Sequence, residues 1–319
     1  MVSLRRATQA RGAALLIVLW LSAALAAIAF ALSATVRSEA DRSVAAWEGV
    51  QAYYLATGAI ERALLHMLWG PPYYQPGITS FRFSFPSGEA VVRILPEAGK
   101  LNLNRATPEE LERLFAALGV DPVRAAEIAQ AVVDWRTPAP QGPTVFDHYY
   151  LSLVPSFRAP HASFQEVEEL LLVKGMTPEL FYGIIAPGPQ GAWVPHDGAR
   201  DCLSVYSDGA AVDVNSAHPA VFAALGFLPG QIQAILAARP VRDPTQFQAL
   251  GLAGHPALGR LRVGGGSIVT LRASARPRLA SGQLSDLRRG VAATVKLLGP
   301  AGGDKPYHVL RWYDNVWEP

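Results

Sequence analysis

Ala13–Val36 reads AALLIVLWLSAALAAIAFALSATV, 24 consecutive residues without a charge. About 20 apolar residues carry a helix across a hydrocarbon layer roughly 30 Å thick, so this run is long enough to span a membrane. Arg5, Arg6 and Arg11 precede it, with no acid among residues 1–12. Basic flanks stay on the cytoplasmic side, which predicts a cytoplasmic N-terminus and a C-terminal region on the far face. A cleavable signal is the alternative, since Ala29 and Ala31 offer an A-x-A-like site. The run is longer than a usual signal core, however, and the helical pattern continues beyond it. No proline occurs before Pro71, and Val44, Trp47, Val50 and Tyr54, then Ile60, Leu64 and Met67, recur as an apolar face at helical spacing. Arg37, Glu39, Asp41, Arg42, Glu48, Glu61 and Arg62 occupy the intervening positions. A single helix from Ala13 to Leu68 follows, about 84 Å long at ~1.5 Å per residue. Half of it lies in lipid and half packs on a domain. Gly58 weakens this helix by only ~1 kcal/mol.

The 319 residues are 50% apolar, enough for a sizeable core. Cys202 is the single cysteine, which excludes an intramolecular disulfide and a multi-thiolate metal site. The net charge of +2 hides an uneven distribution: residues 13–238 hold 13 basic and 21 acidic side chains, whereas residues 239–311 hold 12 basic side chains and only Asp243, Asp286 and Asp304 as acids. Such a polarity steers subunits together or compensates within one fold.

Beyond the helix, Gly70-Pro71-Pro72 and Pro76-Gly77 break the chain. Phe81–Phe85 alternates apolar and polar residues and Ala90–Leu95 is rich in β-branched ones, so Pro86–Glu89 is expected to join them as a hairpin. Strand character returns only at Ser267–Ala275, Val291–Leu298 and Tyr307–Tyr313. The stretch between is helical and holds a repeat. Leu101-Asn102-Leu103-Asn104-Arg105-Ala106-Thr107-Pro108 aligns with Val212-Asp213-Val214-Asn215-Ser216-Ala217-His218-Pro219, and each copy runs on through an apolar helical pattern to Gly119 or Gly226. Thr107 and His218 precede a proline suited to a first helical turn, and Glu109 and Glu110 suit the first helix's dipole. Second halves follow at Phe164–Phe181 and Phe247–Val263.

The N-x-A-x-P opening followed by paired short helices resembles helix-hairpin-helix modules, which raises a nucleic-acid reading. The DNA-binding versions use a Gly-x-Gly turn whose amides meet a phosphate. Here the turns are Leu118-Gly119-Val120-Asp121, Lys174-Gly175-Met176-Thr177 and Leu225-Gly226-Phe227-Leu228, without the second glycine, and the first module is acidic. Nucleic acid is therefore an unlikely partner.

The leader ending Arg11-Gly12, followed by Ala13-Ala14-Leu15-Leu16-Ile17, resembles the cleavage region of type IV pilin-like proteins. That resemblance implies cutting after Gly12 by a prepilin peptidase and methylation of Ala13. Most members carry glutamate at the fifth mature position, where this chain has Ile17. That departure suits the K-class minor pseudopilins of type II secretion. Lys100-Leu101-Asn102-Leu103-Asn104, Val133-Asp134-Trp135-Arg136, Phe164-Gln165-Glu166-Val167-Glu168-Glu169-Leu170, Val173-Lys174-Gly175-Met176-Thr177 and Val212-Asp213-Val214-Asn215-Ser216-Ala217 carry the same resemblance in order. It implies an α+β, type IV pilin-like fold, with a long N-terminal helix and a small antiparallel sheet. A large helical insertion of two helix-hairpin-helix or SAM-like modules would interrupt it. The expected division is a leader at 1–12, a transmembrane segment at 13–36, helix continuation and first strands at 37–98, the insertion at 99–263 (modules at about 99–186 and 210–263), and C-terminal strands at 264–319. The implied partners are I- and J-class minor pseudopilins, the pseudopilus and its inner-membrane secretion platform, prepilin peptidase and membrane lipid. The implied location is the inner membrane, with a periplasmic C-terminal domain.

No H-E-x-x-H, G-x-S-x-G or P-loop is present, and the seven histidines are scattered, so no catalytic residues are nominated. Calcium is the one ion considered. The connection from Pro187 to Asp213 contains Asp197, Asp201, Asp208 and Asp213, hard oxygen donors without EF-hand spacing, and solvated loop acids are the alternative. Some K-class relatives resemble this arrangement in carrying calcium in the helical region. Asp134 either ligates a cation or pairs with an arginine. Trp312 is expected in the core, while Tyr313 and Trp317 remain candidates for a partner interface. A membrane-tethered DNA-uptake protein and a secreted enzyme, released by cleavage near residues 31–34, are the competing readings.

Overall fold

A computed structural model describes residues 6–75, 77–187, 193–264, 266–298 and 305–316. The first helix, α1 (Arg6–Trp69), is unbroken over 64 residues, about 96 Å at ~1.5 Å per residue. It ends at Gly70, which adopts φ +64° ahead of Pro71-Pro72. A hairpin follows, β1 (Ser80–Phe85) and β2 (Gly88–Pro96), with Phe85 opposite Gly88, so the turn is Pro86-Ser87 alone.

The chain then leaves the sheet. In order come β3 (Leu101–Asn102), α2 (Pro108–Ala117), α3 (Pro122–Arg136), α4 (Val145–Leu151), α5 (Pro178–Tyr182), β4 (Gly183–Pro187), β5 (Trp193–Asp197), α6 (Ala199–Cys202), β6 (Leu203–Ser204), β7 (Val212–Asp213), α7 (Pro219–Ala224), α8 (Pro229–Ala237), α9 (Gln246–Ala249) and β8 (Leu261–Arg262). It returns as β9 (Ile268–Pro277), β10 (Arg289–Leu297) and β11 (Tyr307–Tyr313). The result is a five-stranded antiparallel sheet of order β1-β2-β9-β10-β11, closed at its centre by pairs such as Ala90 with Ala275 and Val291 with Ala273. The expected architecture of a long helix and an antiparallel sheet, interrupted by a helical region, is what the chain adopts.

Alternation builds the core. Val92 and Ile94, Val269, Leu271 and Ala273, and Val291, Ala293 and Val295 share one face of the sheet and are buried against Leu55, Ala56, Ala59, Ile60, Ala63, Leu64 and Met67 of α1. Four fully buried alanines, Ala52, Ala56, Ala59 and Ala63, let the helix approach the strands closely. The apolar series read as one helix face therefore splits in two. Ile60, Leu64 and Met67 are buried on the sheet, whereas Val44, Trp47, Val50 and Tyr54 are 49–69% exposed. The six-residue step from Tyr54 to Ile60 rotates the side chain by about 600°, which leaves it some 120° around the helix, not on the same face.

The sheet's other face carries Thr270, Arg272 and Thr294 and meets the helical region. Thr270 Oγ1 donates to Glu97 Oε1 at 2.6 Å, Lys100 Nζ lies 2.9 Å from the same oxygen, and Arg272 pairs with Asp201 at 3.1 Å. Burial alone would raise the Glu97 carboxyl, but Lys100 and hydrogen bonds from Ser204 and Thr270 hold it below the usual range.

Candidate assembly interface

From Leu15 to Val36 the large apolar side chains of α1 are 59–79% exposed, and among the described residues none buries them. Leucine, isoleucine and tryptophan displayed this way require an apolar environment that the chain does not supply. Ile17 lies in this stretch at 67% exposure. The backbone of Gly12 and Ala13 is helical within α1. The helix is apolar enough to cross a membrane by length and composition. Above it, beyond the polar run 37–43, Val44, Trp47, Val50 and Tyr54 form a second exposed apolar strip that reaches the foot of the sheet domain.

The helical region is built from a duplicated clamp. Asn104 receives the Phe164 N–H at 2.7 Å and donates its amide to the Phe164 carbonyl at 2.9 Å. Asn215 does the same to Val241, at 2.8 Å in both directions. Arg136 donates to the carbonyls of Leu103 and Ala106, and Arg239 to those of Val214 and Ala217. Each copy opens on a short strand closed by a parallel partner, β3 on β6 and β7 on β8. Gly119 and Gly226 turn the chain at φ +87° and +91°, which explains glycine at both.

These contacts also correct a register. The counterpart of Phe164 is Val241, not Phe247. Glu169 receives the N–H groups of Gln165 and Glu166, Gln246 those of Arg242 and Asp243, so Leu170 and Phe247 fill equivalent buried positions. Both copies share one core, with Arg113 Nε bonded to the Ala224 carbonyl at 2.8 Å between α2 and α7.

Helix entry is controlled by side chains. Thr107 and Glu110 form a reciprocal cap at α2. Asp121 caps α3, accepting from Val123 and Arg124 at 3.0 and 3.4 Å. That carboxylate fills the amide cradle that a phosphate would need and repels an anion, so the turn read as a DNA-binding candidate does not support that use. At α7, His218 Nδ1 accepts from the Ala220 N–H at 3.1 Å, which leaves Nε2 to donate to Asp197 at 2.8 Å.

Each calcium candidate has a partner of its own. Asp197 bonds His218. Asp201 pairs with Arg272, and Asp208 lies 2.6 Å from Arg262. Asp213 receives Asn215 N–H, Ser216 Oγ and Gly264 N–H, at 3.4, 2.6 and 3.1 Å. The structure does not bring the four together, and among the described residues no three His, Cys, Asp or Glu side chains converge as a metal site.

Among the described residues Asp134 pairs with no arginine. It accepts from Thr144 Oγ1 at 3.0 Å, and burial raises its carboxyl. Arg136 turns to backbone carbonyls instead. Sequence reasoning missed the hub beside it. His161, at φ +47°, places Nε2 2.8 Å from Asp147 and Nδ1 3.1 Å from the carbonyls of Asp134 and Thr137. Acceptors at both ring nitrogens favour the imidazolium. Burial would lower its pKa, but the bonds to Asp147 and Asp134 outweigh this and raise it. No local signal marks His161, because its partners lie 14 and 27 residues away.

Trp312 packs against the core between α1 and the sheet, with Nε1 donating to Asp314 at 2.9 Å. Tyr313 borders a cavity of about 60 Å³ between the sheet and the helical region, which also includes Glu168 and Tyr206. Trp317 lies outside the described residues. Cys202 is buried, and burial pushes its thiol far up.

A long N-terminal helix backs an antiparallel sheet with its upper half, and its lower half, bare and apolar, has the length and composition of a single-pass membrane anchor. Residues 94–184 match the family model of type II secretion system protein K. The chain is 30% identical over 165 residues to type II secretion system protein K of Pseudomonas aeruginosa, an alignment covering 48% of this chain and 45% of the relative, so it spans less than half of that relative's length. In fold it is similar to a chain in the crystal structure of the GspK-GspI-GspJ complex of the enterotoxigenic Escherichia coli type 2 secretion system. The TM-score is 0.56 at 19% identity, over 87% of this chain and 98% of the other. The K-class resemblance read from the leader and the ordered motifs is thus met by family model, relative and fold.

Proposed function

We propose that this protein is a minor pseudopilin of a type II secretion system. It assembles through α1 with other minor pseudopilins at the pseudopilus tip, initiates or caps that filament, and supports export of proteins across the outer membrane. The carrying observation is the exposed apolar surface of α1, Leu15 to Val36 and, beyond the polar run 37–43, Val44 to Tyr54, on a helix whose opposite upper face is used by the sheet. Partner helices of the same kind would cover it. The similar structure comes from a complex of three such chains, which supports I- and J-class partners for this one.

The finer reading has four parts. Prepilin peptidase cuts after Gly12, and Ala13 is then methylated. Ile17 at the fifth mature position suits a subunit with none ahead of it. The N-terminus is cytoplasmic and the domain periplasmic, on an inner-membrane anchor. The duplicated clamp forms two helix-hairpin-helix-like modules used as scaffold, in a role without catalysis. Calcium is not required. Were it bound, Asp197, Asp201, Asp208 and Asp213 would exchange the partners they now hold.

Co-expression of the tagged full chain with I- and J-class pseudopilins and prepilin peptidase tests the proposal. The expected outcome is a mature N-terminus at Ala13 and a co-purifying complex that Trp47→Asp disrupts without unfolding the domain. An intact Met1 in the presence of the peptidase, or no association with either partner, would overturn it.

A further inference from the structure

The sheet domain and the helical region keep separate apolar cores, and among the described residues no side chain belongs to both. The chain crosses between the two bodies twice, after Pro96 and before Ile268, and the crossings lie side by side because Pro96 pairs with Val269. Glu97 pins that point. It is 3% exposed and accepts from Thr270 of the sheet at 2.6 Å, while Lys100 of the helical region lies 2.9 Å from the same oxygen. Gly264, at φ +104°, turns the returning chain in a way that residues with a side chain rarely adopt.

Away from the crossings the contact is polar and covers one half of the sheet's face. Arg272 lies two residues down β9 from Thr270, about 7 Å, and Arg311 lies two strands across from it, about 10 Å. Arg272 pairs with Asp201 at 3.1 Å, and Arg311 pairs with Glu166. Beside these pairs lies the cavity of about 60 Å³, large enough for several waters. There Glu168 Oε2 is buried without a hydrogen-bond partner among the described residues, so the seated arrangement carries the cost of a carboxylate oxygen withdrawn from water.

Over the other half of the same face the bodies stand apart. Arg93 and Leu95 of β2, the cross-strand neighbours of Arg272 and Thr270, line a cleft of about 660 Å³ that Asn215, Ser216 and Arg239 of the helical region also line. Two cores joined by polar contacts are free to move relative to one another, unlike two halves of a shared core. A body seated on β9–β11 and gapped from β1–β2 has one direction in which to turn, down into the cleft.

We propose that the helical region rocks on the sheet about the paired crossings at Pro96 and Val269. The Arg272–Asp201 and Arg311–Glu166 pairs latch it over β9–β11, and their release lets it close on β1–β2. A partner chain touching both bodies would then select one of the two seats. The inference concerns the single chain and does not depend on which partners it assembles with.

Full-length protein in detergent micelles carries nitroxides at Ser84→Cys on β1 and Arg242→Cys in the second copy of the clamp. Both positions are exposed and outside the latch, and the native Cys202 is buried. Pulsed dipolar spectroscopy should give one distance at low salt and a second, shorter one at about 1 M salt, where the screening length falls to ~3 Å. R272Q/R311Q should show the shorter distance already at low salt. E168Q, which removes the buried charge and keeps the shape, should hold the long distance to higher salt than the parent. R311Q alone changes a side chain that is 45% exposed and should show a partial shift in a folded protein. A single unchanged distance in the unmutated protein at both salts and in R311Q would overturn the rocking. A shorter distance of equal weight in the parent and in R272Q/R311Q at every salt would overturn the latch.

Discussion

Asn104 and Asn215 show how one side chain can hold a fold together. Each satisfies the donor and the acceptor of one distant backbone unit, and loss of either leaves a half-buried N–H and C=O without partners. Asn104→Ala or Asn215→Ala should each cost about 2–3 kcal/mol, read from urea or thermal unfolding. His161 makes a different kind of contribution. Its raised pKa means that its stabilisation is complete below the ordinary value of 6.5 and is lost as pH rises through the folded-state value. Asp147 behaves oppositely. Burial alone would raise its carboxyl, but the Thr144 N–H and His161 hold it below 3.8, so its stabilisation is lost only as pH falls through that lowered value. Melting temperature should therefore peak between these limits and decline as pH rises above the ordinary histidine value of 6.5, and His161→Gln should flatten that decline. A decline unchanged in that variant would show that other groups cause it. The four aspartates of the 187–213 connection already have partners, so calcium and chelator should leave the melting temperature unchanged.

At the scale of elements, α1 was legible from its first uncharged run to its last turn, because length, missing proline and helical spacing all point one way. The sheet was legible for the same reason, since period-two alternation survives in β1, β2, β9 and β10. What periodicity does not encode is which neighbour a face meets. Val44–Tyr54 and Ile60–Met67 look alike in spacing, and only the sheet's position separates the exposed strip from the buried one. The same holds for β3, β6, β7 and β8, each two residues long and fixed by a parallel partner far along the chain. The repeat was visible in its openings, where Asn, Pro and Gly recur. Its second halves slipped in register because the equivalence of Phe164 and Val241 lives in hydrogen bonds to Asn104 and Asn215, not in side-chain likeness. Leu64→Ala, at a side chain 1% exposed between α1 and the sheet, should cost about 2–5 kcal/mol in unfolding experiments. Trp47→Ala should leave unfolding within about 0.5 kcal/mol of the parent, as befits an exposed position, and weaken only association with partner chains.

Across the whole molecule, Pro96 and Val269 are paired residues of adjacent strands, and residues 97–268 lie between them. This arrangement constrains the order in which the chain acquires its shape. Closing the sheet around an unfolded segment of that length would carry a loop penalty that grows with (3/2)RT ln n. Once the helical region has condensed, its two ends stand side by side, so close that a methyl group added at Gly266 would lie 3.2 Å from Ala98 Cβ, and the strands meet as though joined by a short turn. The helical region thus acts in time as well as in space: it is the template on which β2 and β9 find each other. Destabilising it should slow the sheet's formation more than it hastens the sheet's loss.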